Sequence, residues 1–243
     1  MPKKSSNDSL NTAAAVKREM KSLATPEQKA TNEWFFKTGP GEYSEHDKFI
    51  GLKVPVQRKI AKRCKEMKLI EVEKLLQSPI HEHRLTATII LVNQVNRDST
   101  KLDEIYKLYK DNLPHVNNWD IIDGSAPQIV GGYLKSRSRK PLYKWAKSKN
   151  LWERRIAILA TYNFIKDEDY GDTLEIADIL LHDNHDLIHK AVGWMIREVG
   201  NRNLQVEESF LKPRYQEMPR TMLRYAIEKF EENKRQAYLK GKV

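Results

Sequence analysis

Apolar residues along the chain return at the three- and four-residue intervals of a helix, with no alternating run of β-branched residues joined by a two-residue turn. The pattern predicts an all-α protein. Asn11 to Leu23 reads as a first helix rich in Ala, Lys and Glu, behind a flexible polar tail over residues 1-8. Thr25-Pro26 opens the next, with Thr as N-cap and Pro at the first helical position, and Gly39-Pro40-Gly41 closes it. Helices then alternate with short polar breaks: Pro55 to Met67, Glu71 to Gln77, Glu82 to Val95, Lys101 to Leu113, Trp119 to Leu134 and Pro141 to Lys149. Trp152 to Ile165, Thr173 to Leu181, Leu187 to Val199, Glu207 to Leu211 and Arg220 to Leu239 complete the series.

A repeat lies beneath this alternation. Aligning Arg84-Leu-Thr-Ala, Asp120-Ile-Ile-Asp, Arg155-Ile-Ala-Ile, Lys190-Ala-Val-Gly and Arg224-Tyr-Ala-Ile gives separations of 36, 35, 35 and 34 residues. Each unit pairs a short helix with a longer one that carries the aligned residue near its start. That arrangement predicts an α-α solenoid of HEAT-like, armadillo-type repeats, one domain over residues 9-243. Tetratricopeptide repeats share the period but require a Trp, Gly and Tyr pattern that is absent. A stack of this kind curves, and its second helices line the concave side, the usual binding surface.

A chain of 243 residues with 40% hydrophobic content can bury a sizeable core. Its 43 Lys and Arg against 33 Asp and Glu leave a net charge of +10, which favours a polyanionic partner, nucleic acid first. Cys64 is the sole cysteine, which excludes an internal disulfide or a cysteine-rich zinc site and suits a reducing compartment. Without an apolar signal core behind Met1-Pro-Lys-Lys or a run of about 18 apolar residues, the expectation is a cytoplasmic, nucleoid-associated protein with no membrane partner. His182, His185 and His189, with Asp183 and Asp186 between them, straddle a helix–helix turn where polar residues belong, and no metal is expected.

The residues that could carry chemistry fall on the repeat. Counting from the aligned position, Trp119 stands at −1, Asp123 at +3, Arg155 at 0 and Trp194 at +4. At about 100° per residue these offsets span an arc of roughly 140°, so repeats stacked in register would point two indoles, a carboxylate and a guanidinium the same way. Arg154, adjacent to Arg155, points about 100° away and is the weaker phosphate ligand of the two. Trp34, Trp145 and Trp152 are assigned to packing. Lys190, which could in principle act as a Schiff-base nucleophile, shares its repeat position with Arg84, Arg155 and Arg224 and reads as part of a generic basic concave site. Lys53, Arg58, Lys59, Lys62, Arg63 and Lys65, together with Lys135, Arg137, Arg139 and Lys140, are further candidate phosphate contacts.

Asn117-Asn118-Trp119-Asp120-Ile121-Ile122-Asp123, Arg155 before Ile-Ala-Ile-Leu, Lys190-Ala-Val-Gly-Trp194 and the early Phe49-Ile-Gly-Leu-Lys-Val-Pro resemble the AlkD-type DNA glycosylases, from about Phe49 through Phe230. The resemblance implies a right-handed solenoid with Trp119 and Trp194 lining the lesion site, Asp123 as the catalytic carboxylate and Arg155 on the DNA backbone. It further implies a lesion held without being flipped fully into a pocket.

These residue types suit the chemistry. A purine alkylated at N3 or N7 is already a cationic leaving group, so what remains is to stabilise an oxocarbenium-like sugar, and a carboxylate does this while positioning water. Indole faces attract a delocalised cation. The expectation is a monofunctional glycosylase acting on duplex DNA with alkylated purines, with no cofactor or obligate protein partner, working as a monomer. A catalytically silent protein that binds DNA or RNA structures through the same groove is the alternative, and a protein-binding scaffold would leave the charge and the Trp, Asp and Arg set unexplained.

Overall fold

The computed structural model describes residues 10–243, in which the regular structure is all-α and neighbouring helices pair in sequence order as in an α-α solenoid. The polar tail expected over residues 1-8 lies outside the described residues. The chain divides into two compact units between Ser125 and Ala126.

The first unit contains α1 (Ala13–Leu23), α2 (Pro26–Phe35), α3 (Val54–Arg63), α4 (Leu69–Leu76), α5 (His81–Arg97), α6 (Leu102–Asp111) and α7 (Trp119–Asp123). Local chemistry starts the first two helices as expected. Thr12 caps α1 by accepting from the Ala15 amide, and Thr25 caps α2 by accepting from the Gln28 amide with Pro26 following. Buried Ala13, Val16 and Met20 form the stripe that α1 lays on α3 and α4. The longest helix, α5, touches α3, α4, α6 and α7, and residues His81 to Thr88 are buried without a break.

Burying that first turn of α5 places His81, Glu82 and Arg84 where bare charges would be costly, and each is matched. Arg84 donates to Asp47 at 2.5 Å and to the Ser78 carbonyl at 3.1 Å. Glu82 accepts from the backbone amides of Ile50, Gly51 and Leu52 and from the Asn32 carboxamide. His81 Nε2 bonds Asp120 of α7 at 2.9 Å, while its Nδ1 stands 3.6 Å from Asp47. Asn118, which begins α7, donates to Ser44 and Asp47 and accepts from the Trp119 amide. It does so at φ 89°, a conformation few residues other than glycine adopt, so these three bonds hold a strained backbone. The loop of residues 44–52 and helix α7 are therefore fixed by the same turn of α5. Gly51, at φ 92° and with the Thr25 carbonyl 2.1 Å from where a Cβ would sit, lets this loop pass against α2.

The second unit contains α8 (Gly132–Leu134), α9 (Lys140–Ala146), α10 (Leu151–Ala160), α11 (Tyr162–Ile165), α12 (Gly171–Ile179), α13 (Asp186–Gly200), α14 (Leu204–Leu211), α15 (Arg220–Ala226) and α16 (Glu232–Leu239). Here α10, α13 and α15 pack on one another in succession, and α9 packs on α12. The helices bearing Arg155, Lys190 and Arg224 thus form one layer. Gly193 permits the closest approach: a Cβ there would lie 2.3 Å from the Met222 carbonyl and 2.6 Å from Tyr225 Cβ.

Three expected long helices are broken. The stretch from Trp119 to Leu134 ends at Asp123 and resumes as a π-turn at Pro127–Gly131, because Pro127 has no N–H to carry the ladder across. Trp152 to Ile165 divides at Thr161, whose hydroxyl donates to the Ile158 carbonyl. Arg220 to Leu239 divides at an extended Phe230, after which Glu231 caps α16. The second helix stops at Phe35, before the glycines, and Lys37 turns the chain at φ 55°.

Burial opposes the charged form of His81, but the Asp120 and Asp47 carboxylates outweigh it and raise its pKa from 6.5 to about 9. Asp47 is likewise buried, yet the neighbouring His81, the Arg84 charge and the hydrogen bond from Asn118 hold it down at about 2. A raised histidine stabilises the fold fully below its unfolded pKa and loses that contribution as pH rises through the folded value. Relative to His81→Gln, the native chain should therefore lose roughly 3 kcal/mol of unfolding free energy between about pH 6.5 and above pH 9, read from urea midpoints. Parallel pH profiles for the two proteins would show that His81 is uncharged. In the second unit, Gly193→Ala should force α13 away from α15 and lower stability by about 1–3 kcal/mol, whereas an unchanged melting temperature would contradict the close approach.

Candidate functional site

Helix α7 is a little over one turn long, with Trp119 at its start and Asp123 at its end, both half-buried. A separation of four residues places them on one face, about 6 Å apart along the axis. Trp119 stacks on Phe36 at 5.6 Å between ring centroids and meets Phe35 edge-on at 5.9 Å. Phe36 in turn stacks on Phe49 and rests against His81. The indole is thus one side of an aromatic cluster built by α2, the following loop and α5.

Behind Asp123, Ser125 donates to the Ile121 carbonyl at 2.6 Å, so the buried Tyr109 hydroxyl, 3.0 Å away, is the donor to Ser125. Burial first, and the Asp123 charge beside it, push the Tyr109 pKa up and keep that hydroxyl protonated. Asp120, one residue after Trp119, is turned from the aligned repeat position toward His81, and its other oxygen accepts from the Ile121 amide.

Beside Trp119 opens a cleft of about 380 Å³ whose lining includes Phe35, Phe36, His81, Glu82 and Asp120. Sequence reasoning did not find it. Its walls come from α2, α3, α5 and α7, spread over some ninety residues with no shared spacing. The one available signal was the adjacent aromatic triplet Trp34-Phe35-Phe36. Trp34 does not pack as its residue type leads one to expect: it stands 81% exposed on α2, a helix with no buried residue, and Phe35 is 53% exposed. Trp145 is buried as expected and Trp152 is half-buried.

The second unit holds the remaining candidates. Trp194 on α13 is half-buried, donates its indole N–H to Glu198 at 3.2 Å, and lies 6.4 Å from the Tyr162 ring. Lys166 and Arg202 flank Tyr162 from above its ring. Arg155 is turned inward, only 4% exposed, and its guanidinium donates to the Leu187 carbonyl of α13. Arg84 is equally buried in the first unit, so the aligned arginines at these two positions join helices inside their units, where the repeat pattern pointed to an open basic surface.

Arg154 pairs with Asp183 at 2.6 Å and also donates to the carbonyls of Ser148 and Lys149. Arg139 pairs with Asp169 and Asp172 and lies 3.9 Å over the Phe164 ring. Lys190 pairs with Asp186 one turn back at the helix surface. Lys53 and Arg137 are exposed, the latter 4.2 Å over Tyr133. Of the three histidines, His185 caps α13, His189 bonds the Asp183 carbonyl and His182 is exposed near Glu217.

No described helix is long and apolar enough to cross a membrane. Residues 16–230 match the family model described as "DNA alkylation repair enzyme". Among solved structures, the chain is similar to one described as a "Predicted DNA alkylation repair enzyme" from Enterococcus faecalis, with a TM-score of 0.67 and 18% identity over 86% of this chain and 97% of that one. It is also similar to smu.31 from Streptococcus mutans UA159, with a TM-score of 0.51 and 18% identity over 90% of this chain and 98% of that one. No curated protein matches. Those likenesses concern the fold, whereas the family match spans most of the sequence, and the chain belongs to the DNA alkylation repair enzyme family.

Proposed function

We propose that the chain is a monofunctional DNA glycosylase that hydrolyses the N-glycosidic bond of cationic N3- or N7-alkylated purines in duplex DNA, built on HEAT-like repeats and acting as a monomer in the cytoplasm. The observation that carries this reading is the pairing of Trp119 and Asp123 on one short helix, with the indole in an aromatic cluster open to solvent through a cleft. The indole attracts the cationic base, and Asp123 faces the charge that develops on the sugar. As the bond from C1′ to the base nitrogen breaks, its electron pair leaves with the base and neutralises it. Water adds to C1′ and gives up a proton to the surrounding solvent, and Asp123 orients that water and stabilises the oxocarbenium-like centre. Trp194, half-buried on α13 of the second unit, is assigned to lesion recognition by its residue type alone.

The backbone contacts divide by environment. Lys53 and Arg137 are exposed and are assigned to phosphates. The ion pairs of Arg139 and Arg154 are partly buried, that of Lys190 is exposed, and each must open for its residue to reach DNA. Arg155, buried on α10, supports α13 and through it Trp194.

Free-base release from a duplex carrying one 7-methylguanine tests the reading. Asp123→Asn should slow release at least about tenfold, roughly 1.4 kcal/mol of barrier, with duplex binding unchanged. If neither protein releases base while both bind the duplex, the chain is a silent DNA-binding member of the family. Trp119→Ala should reduce discrimination between 7-methylguanine and guanine in the same assay, and retention of full selectivity would remove the indole from recognition.

A further inference from the structure

Between Asp47 and Glu66 the chain holds seven basic residues and no acidic one. Arg63 pairs with Glu19, but among the described residues no acid pairs with Lys53, Arg58, Lys59, Lys62 or Lys65, all of them exposed. In the second unit, by contrast, Lys135, Arg139, Arg154, Lys190 and Arg214 each have an acid of their own. On α3, Val54, Arg58 and Lys62 follow at intervals of four, about 6 Å apart along one face, with Lys53 at the N-cap and Lys59 beside them. Like charges at that spacing repel, so the stripe costs the free helix stability. It fits a partner that brings regularly spaced negative charge.

The stripe begins beside bare rings. Lys53 and Val54 line the cleft next to Trp119 together with Phe35, and Phe35 also lines a second opening, of about 430 Å³, with Trp34 and Lys37. Trp34, Phe35, Val54, Arg58 and Lys62 therefore follow one another along a single path over the first unit. The acids at Trp34, Glu33 and Glu42, are taken up by Lys29 and by the Gly39 amide. An indole standing out from a helix stacks only on a base whose face is open. A closed duplex covers the faces of its internal bases with their neighbours, whereas a single strand leaves them free, and cations along a ridge follow its phosphates. An acidic protein segment would use the cations and leave the rings without a partner. We propose that this path binds single-stranded DNA, with one base stacked on Trp34, the next against Phe35, and the phosphates that follow held by Arg58, Lys59 and Lys62. The activity needs neither a lesion nor Asp123, and it holds the protein at gaps, frayed ends and forks, where strands are open. The choice of DNA over RNA rests on membership of the DNA alkylation repair enzyme family and not on the glycosylase reading.

The test is fluorescence anisotropy of the full chain with a labelled strand of about twelve thymidines, which cannot pair with itself, against an undamaged duplex of the same length. The chain should bind the strand. Trp34→Ala, which removes a ring that packs in no core, should weaken that binding at least about fivefold, roughly 1 kcal/mol and the low end for one stacked base, with duplex binding held within about twofold. Arg58→Ala combined with Lys62→Ala should flatten the dependence of log affinity on log salt by about 1.4, the share of two phosphates on a single strand. No binding of the strand, full affinity in Trp34→Ala, an equal loss on the duplex or an unchanged salt slope overturns the proposal. Tighter binding of a uridine RNA strand overturns the choice of DNA, and equal binding of a poly-glutamate peptide of the same charge overturns the nucleic-acid assignment. Release of base from damaged duplex without strand binding removes the path and leaves the glycosylase. Strand binding without base release keeps the path and removes the catalysis.

Discussion

The first unit depends on how it neutralises the buried opening turn of α5. His81, Glu82 and Arg84 enter the interior on consecutive faces of one helix, and an unmatched charge there would cost several kcal/mol. Asp47 answers Arg84 and lies near His81, Asp120 answers His81, and the amides of Ile50, Gly51 and Leu52 answer Glu82. The partners come from segments that also bury apolar side chains, Phe49 and Leu52 in the loop and Ile121 and Ile122 in α7. The loop carrying Asp47 and Gly51 and the short helix α7 are thus held by charge matching and apolar burial together.

The candidate site follows from that constraint. An isolated helix as short as α7 has too few internal hydrogen bonds to persist in water, so Trp119 and Asp123 owe their placement to Asn118 and Asp120, which anchor the helix to Asp47 and His81. The strained φ of Asn118 is tolerated because its carboxamide makes bonds that a glycine could not. Anchoring polar groups and candidate site residues alternate along Asn118, Trp119, Asp120 and Asp123, so the motif is at once an anchor and a candidate site.

The second unit solves a different problem. Its helices α10, α13 and α15 are joined by apolar burial and close backbone approach at Gly193, with the buried Arg155 tying α10 to α13 through a backbone carbonyl. Much of its surface charge is matched locally, as in the pairs of Arg139, Arg154 and Lys190. The net positive charge of the chain is therefore a poor guide to which individual residues meet phosphate.

The sequence by itself determined the helical class and most helix boundaries, because apolar spacing, caps and prolines act over a few residues and are written locally. It also marked Trp119 and Asp123 as neighbours, since four residues on a helix leave no other geometry. Only the tertiary structure decided that Arg84 and Arg155 turn inward, that Trp34 faces water and that Phe35, Phe36, His81 and Asp120 share a cleft. Those outcomes depend on which distant segment supplies a counter-charge or covers a ring. A helical repeat gives each position a direction relative to its own axis, but whether that direction meets solvent, a carboxylate or a backbone carbonyl is fixed by elements tens of residues away.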